Sequence, residues 1–327
     1  MMKYTVRHRT TYRYRQDVAY SRLVAHLAPR ATPRQQTLAF DVSVTPVPVQ
    51  WVERSDYFGN RTNWFTIDEP HTVLDILAES RVAVGPAPDS APEESASWES
   101  VRSAFDAPAG AEALEAMQYV FDTPLTTGNG DVLEYAHTSF RSGRPLLACV
   151  LELNSRIHAD FKYDKEATDT STTVERVFEL RAGVCQDLAH AGIAAVRAVG
   201  LAARYVSGYL LTRPPAGRER LVGADASHAW FAVWIPPFGW IDFDPTNDRL
   251  PSSEHITVAW GRDYGDVAPI HGIITGGSEH EVDVAVDVAP TDEQPNTAPF
   301  EGVSCTSRER KTSCDVEPNE ALIRLIE

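Results

Sequence analysis

The chain has 327 residues, 43% of them hydrophobic and 23% charged, which is enough apolar side chain for two folded units. Its formal net charge of −16 argues against the basic surface that phosphate binding requires, so nucleic acid is not an expected partner. The imbalance is uneven: residues 1–90 carry 11 Lys/Arg against 9 Asp/Glu, whereas 279–327 carry 4 against 12, the pattern of a solvated acidic tail.

The first residues, MMKYTVRHRTTYRY, contain no apolar run and no small-residue cleavage site. No secretory signal is therefore expected, and the expected location is cytoplasmic. The apolar stretches 146–153 and 191–211 do not suit a membrane span, since the first is too short and the second carries Arg197 and Arg204. No membrane partner is expected. Tyr4, Val6, Tyr12 and Tyr14 alternate with Lys3, Arg7, Arg9, Arg13 and Arg15, the period of a half-buried strand. Leu38, Phe40, Val42 and Val44 repeat the pattern, as do Leu74, Ile76, Ala78, Val82 and Val84. Between these runs, residues 56–60 read as a hairpin turn in which Gly59 and Asn60 supply positive φ. Strands in succession without helices predict an antiparallel β-sandwich over residues 1–85.

Residues 86–98 are rich in Pro, Ala, Ser and acids and read as a linker. Helical spacing follows in Ala113, Leu114, Met117, Val120 and Phe121, and again in Leu147, Val150, Leu151, Asn154, Ile157 and Phe161. A short helix opens at Thr173, and another runs from Cys185 to Val199 with Gly200 as its stop. Strand-like runs occupy 203–212, 228–235 and 239–244, so residues 99–250 predict an α+β unit. Residues 251–290 read as an extension of that unit, ending in the strand-like run at 281–288. The segment 291–327 is expected to be disordered, with a short helix at 319–326.

Cys185 follows Gly183-Val184 and precedes a run of apolar residues at helical spacing, which puts its sulfur at a helix N-terminus. Unpaired backbone N–H groups there favour a thiolate and can receive a developing oxyanion. His228 opens a strand and shares a face with Trp230, Ala232 and Trp234, a dry setting for a general base. Asp244 closes the next strand before Pro245, where its carboxylate can accept the His Nδ1–H and leave Nε2 for sulfur. Asp242, on the same side of that strand, is the rival orienter. A helix-start Cys, a strand His and an Asp from the following strand supply the nucleophile, base and orienter of covalent catalysis. Taken singly, each has a plainer reading: a small buried thiol, a core His and a turn Asp.

Other candidates carry less. Gln186 is a possible oxyanion donor, and His190 a packing or supporting residue more than a turn from Cys185. Tyr163, Tyr209 and Trp230 are candidates for the substrate cleft, with aromatic core as the alternative. Cys149, Cys305 and Cys314 lack metal-type pairing with one another or with Cys185 and are expected as free thiols. His255, His271 and His280 have no metal-like spacing. A zinc site from Cys185, His190, His228 and Asp244 suits zinc by residue type, but paired ligands are missing, as is a calcium loop. No metal and no cofactor are expected.

The segments Phe161-Lys162-Tyr163, Arg181 through His190 and Ala203 through Leu210 resemble the core of bacterial transglutaminase-like proteins. His228-Ala229-Trp230 and Gly239 through Thr246 are similar to that family's His and Asp blocks in order and spacing. Residues 1–85 resemble its amino-terminal β region, and Gly261 through Pro269 its carboxy-terminal extension. The resemblance implies a papain-like α+β core with a Cys-His-Asp triad on Cys185, His228 and Asp244. It further implies acyl transfer through a thioester, with a protein or peptide as substrate. Hydrolysis of a peptide or amide bond is the leading expectation, protein-glutamine cross-linking the second. A peptide-binding scaffold without turnover is the alternative of another class.

Overall fold

The computed structural model describes residues 1–212, 227–291, 303–305 and 322–326. The amino-terminal alternation builds one strand of 24 residues, β1 (Met2–Ala25), with Tyr4, Val6 and Tyr12 almost wholly buried and Arg9, Arg13 and Arg15 on the exposed side. It is followed by β2 (Gln35–Thr45), β3 (Gln50–Ser55), β4 (Arg61–Ile67) and β5 (His71–Val84). The first half of β1 pairs with β5. Its register shifts between Arg13 and Val18, and the second half then pairs with β4. Through β1 the expected antiparallel β unit is one continuous sheet, closed on Leu23, Phe65, Ile67, Leu74 and Ile76.

The second unit begins with α1 (Trp98–Ala104), α2 (Ala111–Met117), α3 (Gly130–Ser139) and α4 (Leu146–Asp160). Trp98, assigned above to the linker, instead starts α1. It is 7% exposed, and its indole N–H donates to the Arg141 carbonyl at 3.0 Å. There follow β6 (Lys162–Tyr163), α5 (Val174–Leu180), β7 (Ala182–Gly183), α6 (Cys185–Ala198), β8 (Ala203–Leu210), β9 (Ser227–Ile235), β10 (Gly239–Phe243) and β11 (His255–Gly261). The last four form an antiparallel sheet in the order β10-β9-β8-β11. Helix α6 lies on β9, and Gly192 permits the contact, because a Cβ there would sit 2.6 Å from the Phe231 ring. Arg197 pins the end of α6 with donations to the carbonyls of Tyr119, Ala203 and Arg262 and to the Thr126 hydroxyl.

The expected extension 251–290 divides between the two sheets. Only β11 joins the core, while β12 (Ile270–Gly276) and β13 (His280–Pro290) pair with β1. Register explains why: Val282, Val284, Val286 and Val288 stand opposite Tyr12, Thr10, His8 and Val6, so two buried faces coincide. Leu322–Ile326, expected as part of a short helix, is instead strand β15 on the edge of β12, after β14 (Val303–Cys305) on β13. A lone helix of that length is marginal, whereas an open edge supplies a ladder of partners. Apart from Thr291, the other residues of the expected disordered tail, Cys314 among them, lie outside the described residues.

Two buried amide side chains dock the amino-terminal sheet on the outer edge of β11. Gln35 donates to the Thr257 carbonyl at 2.7 Å and accepts its N–H at 2.9 Å. Asn60 does the same for Trp260, at 2.8 and 3.0 Å. Each amide stands in for the missing neighbouring strand. The turn at 56–60 is thereby corrected: Gly59 has φ +74, but Asn60 is not among the positive-φ residues and serves as a docking group. Among the described residues no helix is long and apolar enough to cross a membrane.

Candidate active site

Helix α6 starts where it does because Asp187 closes its first turn. Asp187 Oδ2 accepts the Val184 N–H at 2.8 Å and the Thr168 hydroxyl at 2.6 Å. Gly183 leaves room for this, since a Cβ there would lie 2.6 Å from the same oxygen. Cys185 is the first residue of the helix and is partly exposed. The Gln186 side chain donates to the Thr170 carbonyl at 3.1 Å. That bond engages one of the two Gln186 amide protons, and the unpaired backbone N–H groups of the first turn are further donors beside sulfur. The parallel pairing of β6 with β7 brings Tyr163 opposite Gly183, and Tyr163 remains 47% exposed. Burial pushes its hydroxyl up, and the nearby Cys185 adds to that.

His228 is the second residue of β9 and stands beside Cys185, close enough for the two to interact electrostatically. On its other side, Nε2 meets Asp244 Oδ2 at 2.9 Å. The imidazole is thus turned the opposite way from the orientation expected from sequence: Nε2 serves the carboxylate, which leaves Nδ1 for sulfur. Asp244 stands just past β10, fully buried, in a turn closed by reciprocal backbone bonds with Arg249. Its Oδ2 also accepts from Asn247 Nδ2 at 2.7 Å, and its Oδ1 from the Asn247 N–H at 3.2 Å. Burial alone would push Asp244 up. Hydrogen bonds from His228, His255 and Asn247 nevertheless hold it well below the usual carboxylate range. Burial likewise works against the His228 imidazolium, but the Asp244 and Cys185 partners outweigh it, and the pKa is pushed up to about 10. Cys185, His228 and Asp244, drawn from three separate stretches, meet in one place, with His228 bonded to Asp244 and adjacent to Cys185.

The rival orienter does not reach the imidazole. Asp242, still within the β10 ladder, faces Arg34 Nη2 at 3.5 Å. His190 Nε2 accepts the Tyr264 N–H at 3.1 Å, and burial, with Arg197 adding, pushes its pKa down to about 3. Of the three aromatic cleft candidates only Tyr163 is exposed. Tyr209 is buried between the sheets, with its hydroxyl 2.9 Å from His8 Nδ1, and Trp230 is fully buried beside the rings of His228 and His255.

His255 is the residue of this buried cluster that sequence reasoning passed over. Its Nε2 lies 3.0 Å from Asp244 Oδ2, so two imidazoles share one carboxylate oxygen. The only signal was its place at the start of a strand, and nothing in the chain announces that β11 lies beside β8. His228, Asp244 and His255 offer potential metal-ligand atoms within 4.8 Å of one another. The Ser252 N–H, however, donates to His255 Nδ1 at 3.3 Å, which puts the ring proton of neutral His255 on Nε2. That nitrogen is a hydrogen-bond donor to Asp244, and metal ligation would require the opposite tautomer.

An uncharacterized protein of Mycobacterium tuberculosis is 42% identical over 296 residues, spanning 88% of this chain and 93% of its own. A protein-glutamine gamma-glutamyltransferase of Pseudomonas aeruginosa is 33% identical over 131 residues, 39% of this chain and 19% of that protein. The fold is shared with a Cytophaga hutchinsonii crystal structure described as a candidate cysteine protease, at TM-score 0.70 and 23% identity over 92% of this chain and 93% of that one. Residues 4–83 match the bacterial transglutaminase-like N-terminal region and residues 133–245 the transglutaminase-like superfamily. The chain belongs to the transglutaminase-like superfamily.

Proposed function

We propose that the protein is a cysteine-dependent acyl-transfer enzyme that hydrolyses a peptide or amide bond through a thioester on Cys185. The observation that carries this reading is the buried His228–Asp244 pair set beside the partly exposed Cys185 at the first turn of α6. The His228 imidazolium beside sulfur favours a thiolate as nucleophile. Attack on the carbonyl carbon gives a tetrahedral oxyanion facing the first-turn N–H groups. His228 then gives its Nδ1 proton to the departing amine as the C–N bond breaks, leaving the thioester. Water adds to the thioester while His228 takes its proton, and loss of the thiolate releases the free acid. Asp244 stays ionised throughout and supports the imidazolium. Among the described residues, Tyr163 is the exposed aromatic at this turn and would meet a substrate protein or peptide.

The likeness to the Pseudomonas glutamyltransferase favours one second reading, in which an amine replaces water and the product is a new amide. Glutamine-containing peptides incubated with a labelled primary amine separate the two. Release of free acid without label supports hydrolysis, and label incorporation supports transfer. Either activity surviving unchanged in Cys185→Ser would sink the thioester mechanism, and turnover of neither kind on a broad peptide panel would favour a scaffold.

A further inference from the structure

Asp244 Oδ2 accepts from two imidazoles, of which His228 is the one beside Cys185. We propose that His255 is a positioning residue for the acyl-transfer chemistry, one that holds Asp244 Oδ2 against His228 through an Nε2–H whose place the backbone dictates. The inference rests on the roles given above to Cys185, His228 and Asp244. His255 lies beyond the superfamily match, which ends at residue 245.

Three observations carry it. First, the tautomer is fixed from behind: the Ser252 N–H occupies Nδ1, so a neutral ring can only donate from Nε2. Second, the imidazole has little freedom. It is fully buried, and the Trp230 indole stands edge-on to it with centroids 5.4 Å apart. Gly208 makes space for that indole, since a Cβ there would fall 2.4 Å from Trp230 Cη2. Third, β11 is itself held. Thr257, two residues along, is gripped at both backbone groups by Gln35, so the amino-terminal sheet fixes the strand that carries His255.

The charged and titratable groups facing His255 are Asp244, His228 and Arg249. Burial favours its neutral form, and Asp244 only partly opposes this. A neutral donor suits the place. It steers the carboxylate without competing as a second cation for the charge that supports the His228 imidazolium. Without it, Oδ2 would keep only His228 and the Asn247 amide, and the carboxylate would be free to turn from His228 toward Asn247.

The test uses the full-length chain and iodoacetamide, with alkylation of Cys185 followed by peptide mass mapping across pH and folding checked by thermal melts. Cys149 is the internal control, since burial pushes its thiol up to about 11. His255→Phe fills the ring space without a donor, and His255→Gln restores one. The expected result is about tenfold slower Cys185 alkylation in His255→Phe near pH 5, a gap that closes near pH 9, with most of the loss recovered in His255→Gln. A wild-type profile in His255→Phe would overturn the proposal, as would equal loss in both variants at every pH, which marks packing alone. Nitrogen-resolved NMR of the wild-type protein adds an arm that does not depend on mutant folding. A neutral His255 ring protonated at Nε2 is expected, and an Nδ1–H ring would overturn the proposal. If wild-type Cys185 shows no advantage at acid pH, the Cys185–His228 reading falls first and takes this one with it. If that advantage is present and His255→Phe keeps it, only the role of His255 falls.

Discussion

The two antiparallel sheets of this molecule use their polar residues in opposite ways. On the outer face of β1 and β5 charges pair locally: Arg7 with Glu79 at 2.6 Å and Arg9 with Asp75 at 2.7 Å, each group partly exposed. In the β10-β9-β8-β11 sheet, His228, Asp244 and His255 are buried and bonded to one another. Solvent forgives a lost surface partner, because water replaces it. A buried carboxylate has no such substitute. The comparison therefore forecasts steep losses from single atoms in the smaller sheet and shallow ones in the larger.

The steepest loss is expected at sulfur. Cys185→Ser exchanges a thiol for a far less acidic hydroxyl, and turnover should fall by about a thousandfold or more, read against the wild type at equal protein concentration. Asp244→Asn is expected next, at about 10²- to 10⁴-fold in kcat. It also has a signature in pH. The His228 pKa is raised to about 10, so its protonated form contributes stability that is fully present below the ordinary imidazole range and is lost as pH rises through about 10. In Asp244→Asn the burial that opposes the imidazolium loses its main counterweight, and the ring should titrate well below its wild-type value by NMR. An unchanged titration would mean that sulfur alone supports the charge.

Much of this contrast was legible in the residues. The alternation of Tyr4, Val6, Tyr12 and Tyr14 and the helical spacing before Gly200 place β1 and α6 because each buried face has a fixed period. Cys185, His228 and Asp244 were readable from their positions at element ends. Which imidazole nitrogen meets the carboxylate was not, since it depends on the rotation of the His228 side chain, which periodicity does not encode. Asp242 and Asp244 look equivalent by parity, and only the turn back to Arg249 separates them. His255 and the division of 251–290 were hidden for the same reason. Strand neighbours far apart in sequence are chosen by matching faces, and a single chain does not print the match. α3 shows the converse: its buried stripe of Val132, Tyr135, Ala136 and Ser139 mixes polar and apolar residues, and the periodicity blurs.

The smaller effects sharpen the comparison at its boundary. Gln35→Leu keeps much of the side-chain volume but strands the Thr257 N–H and weakens the clamp on β11. The loss of stability should be about 1–3 kcal/mol by urea titration. Glu79→Ala, on the outer face of β5, should cost under about 1 kcal/mol in the same titration, because both members of the pair are partly exposed and solvent already screens it. The two changes lie in or beside the same sheet, remove one polar partner each, and differ chiefly in whether solvent can replace it. If Glu79→Ala proved the costlier of the two, surface pairing would be holding the long β1 strand in register, and the amino-terminal sheet could no longer be read as a scaffold stabilised mainly by its buried face.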